Sequence, residues 1–154
     1  MKRGTALLLV VTLLVETTAF AKVGGKEALY VGGTIAHLPE GTVGELDTQN
    51  EKALVFESSQ GKFEIPYENI TSLEYGQKAG RRLGVAITLT LWALLSKKRK
   101  HFLTIGFADA NDKPQGVVLE VPKGRAKSTI IVLETRSGKK VEYESEEARK
   151  HVHG

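Results

Sequence analysis

The chain has 154 residues, 41% of them hydrophobic and 26% charged, with a formal net charge of +4 and no cysteine. That length suits one ordinary folded domain. The missing cysteine excludes disulfides, thiol catalysis, thiolate metal sites and a lipid-anchored lipoprotein, and so modest a charge selects no partner by itself.

The first element is an export signal. Lys2 and Arg3 form its positive start, Ala6–Val15 (ALLLVVTLLV) its apolar body, and Ala19-Phe20-Ala21 the small-x-small site of a signal peptidase. A spanning helix needs roughly 20 apolar residues, and Glu16 interrupts this run too early. Residues 1–21 are therefore expected to be removed, leaving 133 residues with a charge of +3 once Lys2, Arg3 and Glu16 are gone. A cysteine-free exported domain fits a bacterial envelope, in the periplasm or outside the cell. There nucleic acid is an improbable partner, whereas anionic head groups and other envelope proteins are within reach.

Residues 22–143 then read as a single β-rich domain. Strand character falls at Ala28–Ile35, Thr42–Leu46, Ala53–Glu57 and Lys62–Pro66, separated by Pro39-Glu40-Gly41, Thr48-Gln49-Asn50 and a hairpin-length Ser58–Gly61. Lys62-Phe63-Glu64-Ile65 alternates polar and apolar, the period of a half-buried strand. Ser72–Tyr75 is a fifth strand.

Next comes an insert spanning 81–101. Arg81-Arg82 leads into Leu83–Leu95 (LGVAITLTLWALL), and Lys97-Lys98-Arg99-Lys100 with His101 closes it. Thirteen helical residues reach only about 20 Å, short of a bilayer core of roughly 30 Å, so the run does not cross a membrane as one helix. An apolar body with a tryptophan and basic ends suits the interface instead. The membrane or partner contacts expected on this reading are Arg81, Arg82, Leu83, Val85, Ile87, Leu89, Leu91, Trp92, Leu94, Leu95, Lys97, Lys98, Arg99 and Lys100. The alternative is that Val85, Ile87, Leu89 and Leu91 alternate with Ala86, Thr88, Thr90 and Trp92 in a buried strand or core helix. A dimer or partner interface is a third use of the same run.

Strands return at Phe102–Phe107 and Val117–Val121, with 109–116 as a turn-rich connection. In Arg125–Arg136 (RAKSTIIVLETR), Ala126, Ile130 and Leu133 share one helical face and Gly138 stands just past the end. The β-branched run in Ser128–Val132 argues for a strand; the helix is the preferred reading. Val141-Glu142-Tyr143 is a short extension, and 144–154 is expected to be a charged, flexible tail.

Ile65–Gly76 (IPYENITSLEYG) resembles the I-x-Y-x-x-I-x-x-L stretch of bacterial pleckstrin-homology-like and GRAM-like domains. Phe102–Phe107 with Val117–Val121 resembles the following hairpin of that family, and Ile130–Gly138 its closing helix. The resemblance implies a mainly β fold, an antiparallel barrel of about seven strands plugged by a C-terminal helix. Such domains bind phosphoinositides or peptides, but no phosphoinositide-clasping basic motif occurs in the first hairpin, where Glu40, Glu45 and Asp47 are acidic.

Motifs for catalysis are missing. There is no Gly-x-Ser-x-Gly elbow and no phosphate-binding P-loop. Asp109–Asp112 has the wrong register for a calcium loop, with Lys113 at a ligand position, and reads as a hairpin turn. His151-Val152-His153 has a spacing a strand can offer a metal, but lies in the expected tail; His37 has no second ligand nearby in sequence, and His101 reads as part of the basic run. No cofactor or metal is expected. The sequence thus describes a non-catalytic exported binding or scaffold module, peripheral to the envelope membrane through 83–100. The alternative is a structural, homo-oligomerising or partner-binding domain with the insert buried in an interface.

Overall fold

The computed structural model describes residues 27–78 and 100–154. Eight strands form one sheet: β1 (Glu27–Gly33), β2 (Thr42–Asp47), β3 (Ala53–Ser58), β4 (Gly61–Pro66), β5 (Ile70–Gly76), β6 (Phe102–Ala108), β7 (Pro114–Glu120) and β8 (Val141–Tyr143). A 3-10 turn at Tyr67–Asn69 joins β4 to β5, and two helices, α1 (Lys123–Ser137) and α2 (Glu146–His153), complete the described chain.

The strand order is β4-β3-β2-β1-β7-β6-β5-β8. Every neighbouring pair is antiparallel except β5 and β8, which run parallel. The ladder is open, with β4 at one edge and β8 at the other, so hydrogen bonding does not close the barrel expected from the family resemblance. The expected strands each appear with shifts of a few residues at their ends. The eighth was foreseen only as an extension, because its partner Leu73–Tyr75 lies far away in sequence.

Turn chemistry explains the hairpins. Ser58 faces Gly61 across a two-residue turn, and its hydroxyl donates to the Gly61 carbonyl at 2.8 Å. Between β6 and β7, the amides of Asn111 and Lys113 donate to Asp109 Oδ1 at 2.8 and 3.0 Å, while Asp112 takes a left-handed φ of 58°. Asx turns of this kind mimic a backbone turn, and the segment is the hairpin its sequence suggested.

The main core lies on one face of the sheet. Tyr30, Phe56 and Phe63 group their rings there, with Phe56 and Phe63 stacked at 5.1 Å, and Leu54, Ile65, Leu73, Leu103, Ile105 and Leu119 surround them. Helix α1 covers this face with Ala126, Thr129, Ile130 and Leu133, the stripe that helical periodicity predicts. Gly138 ends the helix at φ 70°, its amide donating to the Glu134 carbonyl at 3.0 Å. Arg136 fastens the last turn. Its Nη1 donates to the carbonyls of Thr48 (2.8 Å) and Asn50 and to Tyr67 Oη (3.1 Å).

The opposite face of the sheet also carries apolar burial. Leu29, Val31, Phe102 and Val118 form a second cluster, with Val43 packed against it. Alternation explains the split: Ala28 and Tyr30 point into the main core, and Leu29 and Val31 point the other way.

Residues 144–154, expected to be a flexible tail, are ordered by helix α2. The Ser145 hydroxyl caps it by accepting from the Ala148 amide at 3.1 Å, and Ala148 and Val152, four residues apart, are buried. Glu146 and Glu147 in the first turn and Lys150 in the last match the helix dipole.

Candidate functional site: the root of the 77–101 excursion

The chain leaves the sheet after β5 and returns at β6, and the two exit points are neighbours: Gly76 pairs with Phe102 at the end of the β5–β6 ladder. Each root is tied to the body. On the outgoing side the Lys78 amide donates to Glu144 Oε2 at 2.8 Å, and its ammonium lies 3.3 Å from Glu144 Oε1. On the return side Lys100 Nζ lies 2.7 Å from Glu120 Oε2, with both side chains partly shielded from water. Gly76 is required here for space, since a Cβ at that position would overlap the Glu144 side chain.

Burial alone would raise the Glu144 pKa. The amides of Lys78 and Gln77 and the Lys78 ammonium outweigh it and hold the carboxyl below its ordinary value. The Glu144 amide in turn donates to the Tyr75 carbonyl at 3.0 Å, which links the β8–α2 junction to β5.

Next to the return root is an aromatic stack that the sequence did not signal. His101, expected to belong to the exposed basic run, is only 7% exposed. Its ring lies against two others, Tyr75 at 5.6 Å and 10° and His151 of α2 at 3.9 Å and 14°, and those two are 6.0 Å apart, so the three rings form a triangle. Tyr75 Oη and His151 Nδ1 are 2.9 Å apart, and both ring nitrogens of His101 lack a hydrogen-bond partner among the described residues. Alongside, Tyr143 packs edge-on against Tyr75, and its hydroxyl lies 2.9 Å from His153 Nε2.

Burial sets the electrostatics of this group. Desolvation pushes the Tyr75 phenol up to about 12, with the neighbouring Tyr143 adding to the shift. Desolvation lowers both imidazoles from 6.5. His151 is lowered further by His101 and by Lys123, and His101 by Lys123, while Glu147 opposes both shifts and Glu144 that of His101. The phenol keeps its proton and is hydrogen-bonded to His151 Nδ1, with the direction set by the imidazole tautomer.

This arrangement holds elements together and is not shaped for metal binding. Lone pairs of imidazole lie in the ring plane, so nearly parallel rings send them side by side instead of toward one point. Among the described residues no three His, Asp, Glu or Cys side chains are grouped for a metal ion. The i, i+2 pair His151 and His153 sits on a helix, and each member is engaged by a different tyrosine. His37 Nε2 lies 2.9 Å from the Lys62 carbonyl.

A separate open groove of about 680 Å³ lies on the β2–β3 side, with Glu45, Asp47, Glu57 and Arg125 among its lining residues. Arg125 Nη2 donates to the Leu46 carbonyl at 3.4 Å.

Of the residues expected to contact a membrane or partner, Lys100 is described, and it is ion-paired to Glu120. Leu83–Leu95 with Arg81, Arg82, Lys97, Lys98 and Arg99 lie outside the described residues. Among the described residues the one large hydrophobic side chain left exposed is Ile131, at 48%. No described helix is long and apolar enough to cross a membrane. Compared with models of known protein families and with curated protein sequences, the chain matches none.

Proposed function

We propose that the protein is an exported, non-catalytic binding or scaffold module of pleckstrin-homology-like architecture, held at the anionic surface of the envelope membrane by residues 83–100. The observation that carries this reading is the root: the excursion departs and returns at paired residues, and ion pairs to Glu144 and Glu120 clamp both sides. Seven antiparallel strands followed by a helix over the core support the architecture, since that is the order the resemblance implies.

In this reading Trp92 and the apolar residues of 83–95 enter the head-group region, and Arg81, Arg82, Lys97, Lys98 and Arg99 meet anionic lipid. Each basic residue near such a surface contributes about 1 kcal/mol. Lys100 serves the root through Glu120. Co-sedimentation of the exported chain with phosphatidylglycerol vesicles tests the proposal. Binding at low salt, weakened when Lys97, Lys98 and Arg99 become glutamine, is expected; no binding, or binding indifferent to those changes, defeats it.

The second apolar cluster favours a competing reading. Phe102, at the return root, is buried with Leu29, Val31 and Val118 on the face away from the main core, so apolar contact continues up to the root itself. An insert engaged in a homodimer or with another protein extends such a surface. A monodisperse dimer by light scattering, lost on Leu89→Lys, is the result this alternative expects.

A further inference from the structure

We infer that the C-terminal helix α2 is an acid-releasable clasp, closed over the root of the excursion while His101 and His151 are both neutral and loosened when the pair takes up a proton. The geometry that points to this is the stack of two imidazoles 3.9 Å apart, one immediately before β6 and one on α2, with a buried His101 that has no hydrogen-bond partner among the described residues. An unpartnered buried imidazole is tolerated when neutral. Once charged, it is a buried cation without an acceptor, and its nearest aromatic neighbour on α2 is another imidazole.

The groups facing the pair come from every element around it. Tyr75 on β5 stacks on both rings and bonds His151. Glu147 on α2 and Glu144 at the β8–α2 junction favour protonation, whereas Lys123 at the start of α1 opposes it. Desolvation outweighs the carboxylates, so both imidazoles titrate below their ordinary value when α2 is docked.

The sign follows from linkage. An undocked helix leaves the imidazoles near 6.5, and a docked one holds them lower, so protons bind preferentially to the undocked form. The contribution to docking is complete above pH 6.5. It is lost progressively as pH falls below 6.5 through the lowered values. Glu144 responds in a different range: its carboxylate contribution is present above about 4.5 and falls only in stronger acid. Mild acidification therefore loosens α2 through the histidines while the Lys78–Glu144 pair stays charged.

The consequence reaches the excursion. Glu144 immediately precedes the Ser145 cap of α2, and the same residue clamps Lys78. Release of the helix frees that junction and loosens the outgoing root. An exported protein meets a variable external pH, and this clasp would report it to the segment the protein presents. The clasp itself rests on the stack alone and stands whatever the excursion binds.

Hydrogen exchange on the full exported chain at pH 7.5 and pH 5.5, corrected for the intrinsic rate of each amide, tests the inference. Protection at Ala148–His153 is expected to fall by about fivefold or more, the lower end of coupling between protein sites, while amides of β3 and β4 hold theirs. In the double variant His101→Phe and His151→Phe, which keeps rings in the stack without a titrating group, the difference is expected to vanish. Equal protection of the native chain at both pH values, or an undiminished fall in the double variant, would overturn it. A titration of the native chain followed by imidazole carbon NMR guards against a variant that does not fold. Midpoints for His101 and His151 below 6.5 support the clasp, and midpoints at or above 6.5 overturn it.

Discussion

The strands of the one sheet are buried in two different ways. In β2 and β4 buried residues alternate with exposed or half-exposed ones, Thr42, Gly44 and Leu46 inward in one and Phe63 and Ile65 inward in the other, and on the opposite face only Val43 packs against the second cluster while Glu45, Lys62 and Glu64 are exposed. In β1 and β6 burial is continuous: Ala28–Val31 and Phe102–Phe107 are buried on both faces. Antiparallel sheets usually keep one solvated face, and a strand buried on both sides reads as an unbroken apolar run. The excursion is rooted between β5 and the doubly buried β6, where Phe102 belongs to the second cluster. The contrast is one between strands, because β3, between β2 and β4, is itself buried from Ala53 to Phe56.

Substitutions sharpen this contrast. Phe56→Ala, within the main core, is expected to cost about 3–5 kcal/mol in urea unfolding. If the second cluster is as much an interior as the first, Phe102→Ala costs a similar amount. A cost below about 1 kcal/mol at Phe102 would mean that the outer face is only a surface patch. Gly76→Ala comes next. The added methyl meets Glu144 from its Cβ outward, and an overpacking cost of about 1–3 kcal/mol is expected, relieved in part by Glu144→Gly in a double-mutant cycle.

Ser145→Ala removes the cap of α2 and is expected to cost about 1 kcal/mol. Its effect should appear as faster exchange at Ala148–His153, with little change in β2–β4. Glu120→Gln has the smallest effect. The Lys100 pair is only partly shielded from water, so a loss of about 1 kcal/mol or less is expected, read as a small drop in thermal midpoint that shrinks further at high salt.

The one-sided strands were largely legible in the sequence, because alternation in Lys62–Ile65 and turn residues at Ser58–Gly61 speak through neighbours in the chain. Helix α1 was legible for the same reason: Ala126, Ile130 and Leu133 repeat at helical spacing, and Gly138 stops them. The second face was not legible. Where Leu29 and Val31 alternate with Ala28 and Tyr30, the pattern is apolar throughout and assigns no side.

Helix α2 was missed because charge dominated the reading of its segment. Its signals were present in Ser145 followed by Glu146 and Glu147, with Ala148 and Val152 one turn apart. His101 was masked by its basic neighbours Lys97–Lys100, although its burial is set by Tyr75 and His151, which are remote in sequence. The parallel pairing of β8 with β5 and the Lys78–Glu144 clamp are likewise long-range, and no local spacing encodes them.

Trp92 is the sole tryptophan of the chain and lies in the apolar part of the excursion, so its emission reports the central claim directly. Titration of the exported protein with phosphatidylglycerol vesicles at low salt should move Trp92 emission to shorter wavelength, and added salt should reverse the shift. Emission unchanged by vesicles at any salt concentration would contradict attachment through residues 83–100.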